Sequence, residues 1–303
     1  KLEKCELDVI GTTWAADKSK ASRLEASECI FRNRPSCSSP SSIFSCDTLK
    51  VEKSMFENMS GTSGGCFSRV DKAIFIENST FNNIISSSSL YEGGSLSALY
   101  YLNNTFNNLT ESGSYNSNFA RSSENTDIKI IGNIFVNCSY SAVIDEVLDN
   151  CEVRDNLCSG NTVGTKLDLQ TDNIDDVLDW LNGAPVLKDN GGFTPTVALK
   201  SDTLSNGTSI RFPRLDDVLT DQRGVSRQDN TCMGAYEIGC GNDTTIATVA
   251  DTINVGTKIY GQTFTKVGVH DSIFETLQTA IGCDSVVMHK VVVRPTAMNY
   301  YVK

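Results

Sequence analysis

Apolar and polar positions follow a short unit that recurs seven times between residues 7 and 158. In each unit, an apolar residue is followed two positions later by another, and five positions after that by an aromatic residue or its substitute. The triplets are Leu7/Val9/Trp14, Leu24/Ala26/Phe31, Leu49/Val51/Phe56, Ile74/Ile76/Phe81, Leu99/Tyr101/Phe106, Ile128/Ile130/Phe135 and Cys151/Val153/Cys158. Phe31, Phe56, Phe81 and Phe106 lie 25 residues apart. Spacing by two indicates strands, and the fixed period indicates stacked coils.

Three positions before the aromatic lie Glu28, Lys53, Asn78, Asn103, Gly132 and Asp155. Several of these are types that tolerate a left-handed corner. Asparagines follow the aromatic by two positions: Asn33, Asn58, Asn83, Asn108 and Asn137. Each unit therefore predicts a strand, a corner, a short strand and an asparagine turn, with the amides forming a ladder along the stack. The predicted fold is all-β, a right-handed parallel β-helix over residues 1–165 with Phe31 to Phe135 stacked in its core. A leucine-rich repeat has a similar period, but this chain is rich in Ser and Asn rather than leucine.

The pattern changes after Cys158. The apolar spacing from Ile174 to Leu181 predicts one short helix over Asp172–Leu181. We expect residues 166–240 to end the β-helix and cap it, because an open strand edge invites aggregation. Residues 241–303 predict a small antiparallel, Ig-like β-sandwich, from alternating stretches such as Ser285–Val293 and turn signals at Gly256 and Gly261.

Composition limits the partners and the compartment. A net charge of −11 and a pI near 4.7 argue against nucleic acid and anionic membrane surfaces as partners. No apolar run reaches membrane-spanning length, so we expect no membrane insertion. The abrupt start at Lys1 suggests a processed form or a segment of something longer. Eleven cysteines favour an oxidising compartment, extracellular or at the cell surface.

The cysteines predict at least three disulfides, and their odd number leaves one thiol free or bonded to another chain. Cys37 and Cys46 lie in one predicted loop, and Cys138 and Cys151 flank one connection between coils. Without a CxxC spacing, and with only His270 and His289 as histidines, the sequence predicts no metal site and no cofactor.

Seven Asn-x-Ser/Thr sequences are candidate glycosylation sites: Asn58, Asn78, Asn103, Asn108, Asn137, Asn206 and Asn242. About five are expected by chance in a chain of this composition, and several coincide with the repeated asparagine position. Structural asparagines and real glycosylation sites both remain open at this point.

Three motifs in the second segment resemble the choice-of-anchor Q domain. They are Asp189 to Thr196 (DNGGFTPT), Thr220 to Arg227 (TDQRGVSR) and Gly234 to Glu237 (GAYE). That family occurs in parallel β-helix proteins of microbial cell surfaces, similar in style to polymorphic outer-membrane adhesins, and implies no reaction. Ser226 replaces the usual proline and Cys232 the usual aspartate. In a cap, Arg223 would bond free carbonyls with Asp221 as its partner, whereas an anion site at Arg223 and Arg227 is the functional alternative.

The last segment resembles the tandem modules of large secreted bacterial adhesins. The resemblance rests on Glu275 to Ala280 (ETLQTA) and Gly282 to Val287 (GCDSVV). Such modules often have a second cysteine where this chain has Asn254, so pairing of Cys283 with Cys240 or with another chain stays open.

β-Helix lyases and glycosidases place carboxylates and a cationic residue at outward positions of successive strands. Glu25, Glu52, Glu77, Lys129 and Arg154 occupy such positions but form no column of acids. Asp145, Glu146 and Asp149 could bind a cation, although a solvated acidic loop is the commoner outcome.

We therefore expect no catalytic residues. The predicted function is an extracellular structural or adhesive surface protein, a segment of a fibre that assembles end to end with copies of itself or with adjoining modules. The alternatives are a carbohydrate-binding module, favoured by aromatic residues clustered on one face, and a pectate-lyase-like or glycoside-hydrolase enzyme, favoured by a cleft with close carboxylates.

Overall fold

Two parallel sheets wind together into a β-helix in a computed structural model of the protein. The structure describes residues 1–8, 21–34, 44–60, 67, 69–86, 96–111, 118–120, 124–160, 162–238, 247–259, 261–278 and 284–295. The chain divides into two units, Lys1–Ile238 and Gly239–Lys303. The predicted all-β class and β-helix are confirmed. Val9, Trp14, Cys37, Cys240, Asn242 and Cys283 lie outside the described residues.

The two sheets alternate along the chain. The first sheet contains β1 (Leu2–Glu3), β3 (Ala21–Ser27), β5 (Ser45–Glu52), β7 (Arg69–Glu77), β9 (Ala98–Leu102), β11 (Asp127–Ile131) and β13 (Cys151–Arg154). The second sheet contains β2 (Glu6–Asp8), β4 (Ile30–Arg34), β6 (Met55–Ser60), β8 (Thr80–Ser86), β10 (Thr105–Glu111), β12 (Ile134–Cys138), β14 (Leu157–Gly160) and β15 (Leu169–Gln170). Each strand pairs in parallel with the equivalent strand of the next coil, so equivalent residues stack.

Phenylalanine rings fill the interior between the sheets, as predicted. Phe31, Phe56, Phe81, Phe106 and Phe135 are each at most 1% exposed. Successive ring centroids lie 4.8, 4.6, 5.0 and 5.0 Å apart. The register pairs each ring residue with the next, so the 25-residue spacing becomes one continuous aromatic column.

The corner between the sheets is left-handed in every described coil. The six predicted corner residues have φ values from 46° to 69°. Lys4 adopts the same conformation, with φ of 47°. This shows that the first triplet was misaligned, because Leu7 pairs with Phe31 and therefore occupies the aromatic position. The apolar spacing alone could not decide whether Leu7 occupies the first apolar position of a triplet or its aromatic position.

Two ladders run along the coils. The predicted outer ladder is present, since Asn83 Nδ2 donates to Asn58 Oδ1 at 2.7 Å and Asn108 Nδ2 to Asn83 Oδ1 at 3.1 Å. A buried inner ladder, two positions before the aromatic column, was not predicted. There each side-chain oxygen accepts the backbone N–H of the preceding coil, at 2.9 to 3.1 Å, through Ser54, Ser79, Asn104, Asn133, Asn156 and finally Asp168. It supplies buried backbone donors with partners.

Residues 187–238, here called the strap, lie against the side of the β-helix along its corners. Thr194 Oγ1 donates to the carbonyl of Lys53 at 3.0 Å, and the N–H of Gly234 donates to the carbonyl of Gly132 at 2.6 Å. A second apolar core lies between the strap and the coils, with Phe212 and Ile134 among its buried members. Gly132 is required there, because a Cβ would lie 2.3 Å from the Phe212 ring.

The predicted helix at Asp172–Leu181 is wrong. Only Ile174–Asp176 form a single 3-10 turn, and Asn173 makes no side-chain cap. The apolar residues of this segment pack irregularly instead, and Leu178 forms an isolated antiparallel β-bridge with Leu199. Short antiparallel pairs follow: β16 (Trp180–Leu181) with β17 (Ala184–Pro185), β18 (Leu187–Lys188) with β19 (Thr196–Val197), and β20 (Arg211–Pro213) with β21 (Asn230–Cys232).

The second unit is a small β module. Its strands are β22 (Ala247–Asn254), β23 (Lys258–Ile259), β24 (Gln262–Thr263), β25 (Gly268–Gln278) and β26 (Asp284–Arg294). β25 and β26 are antiparallel, whereas β22 pairs with β26 in parallel, so its main sheet is mixed rather than antiparallel throughout as expected. Phe264, Val291 and Val293 are buried together.

Candidate functional site

The residue between the two apolar positions of each triplet faces outward from the first sheet. Parallel pairing aligns these residues into one column: Glu25, Lys50, Phe75, Tyr100, Lys129 and Glu152. A second column, two positions later, contains Ser27, Glu52, Glu77, Leu102, Ile131 and Arg154. The outward charged residues considered from the sequence thus share one face but divide between two columns.

The sequence-based prediction omitted Phe75 and Tyr100, because it rested on the charged residues of this face alone. The signal was available: an aromatic residue between the two apolar residues of a triplet must point away from the core. Large apolar side chains at outward positions of a solvent-facing sheet indicate a contact surface.

A cleft of about 350 Å³ lies where residues 215–218 of the strap approach this face. It is lined by Phe75, Glu77, Tyr100, Leu102, Lys129, Ile131, Glu152, Leu215, Asp216, Asp217 and Val218. Its volume is at the lower end of the range for small-molecule sites. It combines an apolar floor with polar groups, which is the composition that such sites share.

Phe75 and Tyr100 form the aromatic part of the cleft. Their ring centroids lie 5.0 Å apart with an interplanar angle of 87°. The Tyr100 hydroxyl donates to the carboxylate of Asp127, and Lys129 Nζ lies 4.9 Å from the Tyr100 centroid. Burial and the bond to Asp127 raise the pKa of Tyr100 to about 12, so its hydroxyl is a hydrogen-bond donor at neutral pH.

Glu77 is a largely buried carboxyl group of the cleft. Its side chain is 15% exposed and lies 4.0 Å from Lys50 Nζ. Burial raises its pKa; the charge of Lys50 opposes that change, and the carboxylates of Glu52 and Asp217 reinforce it. Glu77 therefore takes up a proton more readily than an exposed glutamate, and could donate a hydrogen bond or act as an acid.

Negative charge predominates around the cleft. Four of its lining residues, Glu77, Glu152, Asp216 and Asp217, are acidic, against the single ammonium group of Lys129. This balance disfavours polyanionic ligands such as polyuronates, because like charges brought together in a partly desolvated cleft repel each other. Neutral or cationic ligands fit it better.

The strap does not offer the alternative anion site. Arg227 is fully buried and donates to the Oδ1 atom of Asn78, to the Thr231 hydroxyl, to Glu237 and to two backbone carbonyls. Arg223 is paired with Asp221 at 2.7 Å, as expected, and also donates to the Glu237 carbonyl. These internal partners show that Arg223, Arg227 and Asp221 of the motifs hold the strap together and against the β-helix.

The acidic loop is open to solvent. Asp145, Glu146 and Asp149 are exposed. Among the described residues, no group of three or more His, Cys, Asp or Glu side chains is arranged to hold a metal ion. Within the same residues, no helix is long and apolar enough to cross a membrane.

A second cleft, of about 630 Å³, lies beside the last strand of the first sheet. Its exposed apolar residues are Val147, Val163 and Leu167, at 52%, 59% and 65% exposure. Asp145, Glu146 and Lys166 also line it. Exposed apolar residues gathered at one end of a stack of coils indicate a contact surface.

The candidate glycosylation sites differ in accessibility. Asn78 is 4% exposed and accepts from Arg227, and Asn103 is fully buried and donates to the Cys232 carbonyl at 3.2 Å. Asn58, Asn137 and Asn206 are exposed, and Asn108 is half-buried in the outer ladder. Accessibility in the folded chain therefore favours Asn58, Asn137 and Asn206.

The predicted disulfides are not present among the described cysteines. Cys5, Cys29, Cys138, Cys151, Cys158 and Cys232 have free thiols. Cys138 and Cys151, which flank one connection, are therefore not joined to each other.

No protein-family model, curated protein or solved structure matches this chain. The resemblances to the choice-of-anchor Q domain and to adhesin modules consequently rest on their short motifs, whereas the β-helix is a property of the structure itself.

Proposed function

We propose that this chain is an extracellular structural and adhesive protein whose β-helix presents a saccharide-binding cleft on its first sheet. The observation that carries the proposal is the pair of outward aromatic rings, Phe75 and Tyr100, in one cleft with Glu77 and Asp217. Its surface location draws on the motif resemblances and on the cysteine content.

The cleft suits the amphipathic character of a sugar. Rings such as those of Phe75 and Tyr100 offer rigid apolar contact area at low entropic cost. The carboxyl groups around them can accept hydrogen bonds from sugar hydroxyls. Because four lining residues are acidic, the preferred ligand is a neutral glycan or an amino-sugar polymer rather than pectate.

Binding can be measured by isothermal titration calorimetry of the full chain with cello-oligosaccharides, chitosan oligosaccharides and polygalacturonate. We expect binding of one of the first two and none of polygalacturonate. Tyr100→Ala and Phe75→Ala should each weaken it about tenfold or more, from the loss of about 1.5 kcal/mol of aromatic contact. The matched control is Phe193→Ala, since Phe193 is also exposed, at 43%, but does not line the cleft.

Absence of binding to all three ligands, or weakening by Phe193→Ala as strong as by Tyr100→Ala, would contradict the proposal. The same mixtures should be analysed for cleavage products. If shorter oligosaccharides are released, and Glu77→Gln abolishes their release, the chain is an enzyme with Glu77 as its acid rather than a binding protein.

A second function, end-to-end assembly, is favoured by the apolar cleft at the last coil. We propose that it receives the first described coil of a second copy, where Leu2 is only partly buried and Lys1 and Lys4 are about 60% exposed. Each ammonium group is paired within its own copy, Lys1 with Glu3 and Lys4 with Glu28, both at 3.4 Å, so the apolar contact carries this proposal. A head-to-tail contact of this kind does not close on itself and extends into a filament.

Light scattering over a dilution series tests the assembly. Particle mass should increase with concentration in the native chain and in Leu219→Glu, but not in Leu167→Glu. Both residues are similarly exposed, at 58% and 65%, and only Leu167 lines the cleft. A monomer at every concentration would refute it.

A further inference from the structure

Two cysteines lie directly above one another in the first two coils. The register pairs Glu6 with Ile30 and Leu7 with Phe31, so Cys5 is opposite Cys29. Their Sγ atoms are 2.9 Å apart. Both residues occupy the position, two before the aromatic column, that is filled in later coils by the inner ladder of Ser and Asn.

Thiols are poor substitutes for the ladder residues. A thiol is a weak acceptor and a weak donor, and apart from its contact with Cys5, Cys29 Sγ lies 3.3 Å from the Ser27 carbonyl. A serine would continue the pattern of Ser54 and Ser79. Simple burial explains other cysteines: Cys158, for example, packs opposite Phe135, in the aromatic column. Burial alone does not explain a thiol stacked on a second thiol in place of a hydrogen-bonding side chain.

The backbone geometry suits a covalent link. Neighbouring strands in a sheet lie about 4.8 Å apart. Disulfides span Cα separations of roughly 4.4–6.8 Å. Two cysteines at paired positions of adjacent parallel strands therefore need little backbone movement to join.

We infer that Cys5 and Cys29 are a disulfide-forming pair that locks the first coil onto the second. In the reaction, the two thiols lose two protons and two electrons to a low-molecular-weight disulfide such as oxidised glutathione. One sulfur–sulfur bond forms in the protein, the bond of the oxidant breaks, and two small thiols are released. The link closes a loop across a sequence separation of 24 residues at an end of the described stack.

Burial affects the rate of this reaction. Burial and the neighbouring Cys29 thiol raise the pKa of Cys5 to about 12. Since the thiolate is the attacking species, oxidation should be slow at neutral pH and faster in alkaline buffer.

Peptide mapping tests the pair. The reduced full chain is incubated with oxidised glutathione at alkaline pH, alkylated and digested with trypsin without reductant. Cleavage after Lys4, Lys18, Arg23 and Arg32 gives peptides 5–18 and 24–32, each with one cysteine. We expect one species with the summed mass of both peptides less two hydrogens, which disappears when reductant is added. Recovery of both peptides fully alkylated, or linked to other cysteines, overturns the inference.

A stability measurement shows whether the disulfide stabilises the fold or merely forms under oxidising conditions. The melting temperature of the oxidised chain should exceed that of the reduced chain by a few degrees, as expected for a cross-link in one coil. The difference should vanish in Cys5→Ser and persist in Cys151→Ser, a half-buried cysteine of the last coil. An unchanged melting temperature in the linked protein would show that the pair contributes nothing to holding the coil.

Discussion

Replacement of Asn133 by alanine tests whether the inner ladder stabilises the β-helix. Asn133 is fully buried. Its Oδ1 atom accepts the backbone N–H of Asn104 at 2.9 Å and its Nδ2 atom donates to the Tyr101 carbonyl at 2.8 Å. It also exchanges side-chain bonds with Asn104 and Asn156, but those two amides keep other partners.

The magnitude follows from the groups left without Asn133. Alanine deprives two buried backbone groups, the Asn104 N–H and the Tyr101 carbonyl, of that partner. An unsatisfied buried group costs roughly 1–3 kcal/mol, so Asn133→Ala should lose about 2–5 kcal/mol of unfolding free energy. Serine should recover about half of the loss, because Ser54 and Ser79 already accept the equivalent N–H groups of neighbouring coils.

Urea unfolding of the full chain, followed by far-ultraviolet circular dichroism, measures the change as a shift in midpoint. Asn230→Ala is the control, because Asn230 is exposed on β21. The reasoning is refuted if Asn133→Ala unfolds at the same urea concentration as this control, or if Asn133→Ser is as unstable as Asn133→Ala.

Three further outcomes are expected. Phe81→Ala should cost about 3–5 kcal/mol in the same urea assay, because Phe81 is fully buried between Phe56 and Phe106; a loss under 1 kcal/mol would contradict the stacked column. Since the pKa of Glu77 is raised by folding, the folded chain holds this proton more tightly, and stability should fall as pH rises from the usual carboxyl range through the folded pKa. Glu77→Gln should flatten that part of the melting temperature profile and Glu25→Gln should not. In a eukaryotic secretory host, glycopeptide analysis should find glycans on Asn58, Asn137 or Asn206, whereas occupancy of buried Asn78 or Asn103 would contradict the accessibility argument.

The repeated part of the fold was predictable because it is one local rule applied many times. Once Phe56 and Phe81 are stacked, the corner at Lys53 and the ladder at Asn58 follow from their positions in the sequence, three residues before Phe56 and two residues after it. The rule weakens where the repeat is imperfect. Leu7 can serve either as the first apolar residue or as the aromatic substitute, and only pairing with Phe31 decides between them.

The segment from Ile174 through the strap could not be predicted because its residues obey no period. The apolar positions from Ile174 to Leu178 match a helix, yet they pack in an irregular second core against the outside of the coils. Arg227 resembles a functional cation in the sequence. Its partner Asn78 lies 149 positions away, so no local signal shows that Arg227 is internally satisfied.

The candidate site arises where these two parts of the chain meet. A strictly repeating sheet presents the same shallow surface on every coil and creates no unique pocket. The cleft exists because the outward column changes from charged to aromatic at Phe75 and Tyr100, and because Asp216 and Asp217 of the strap lie over those coils. The regular coils supply a rigid platform, and the irregular segment supplies the wall that distinguishes one position from the rest. A site on such a protein is therefore best sought where the repeat is broken, and variants in the 215–218 segment should alter ligand preference while leaving the stacked core intact.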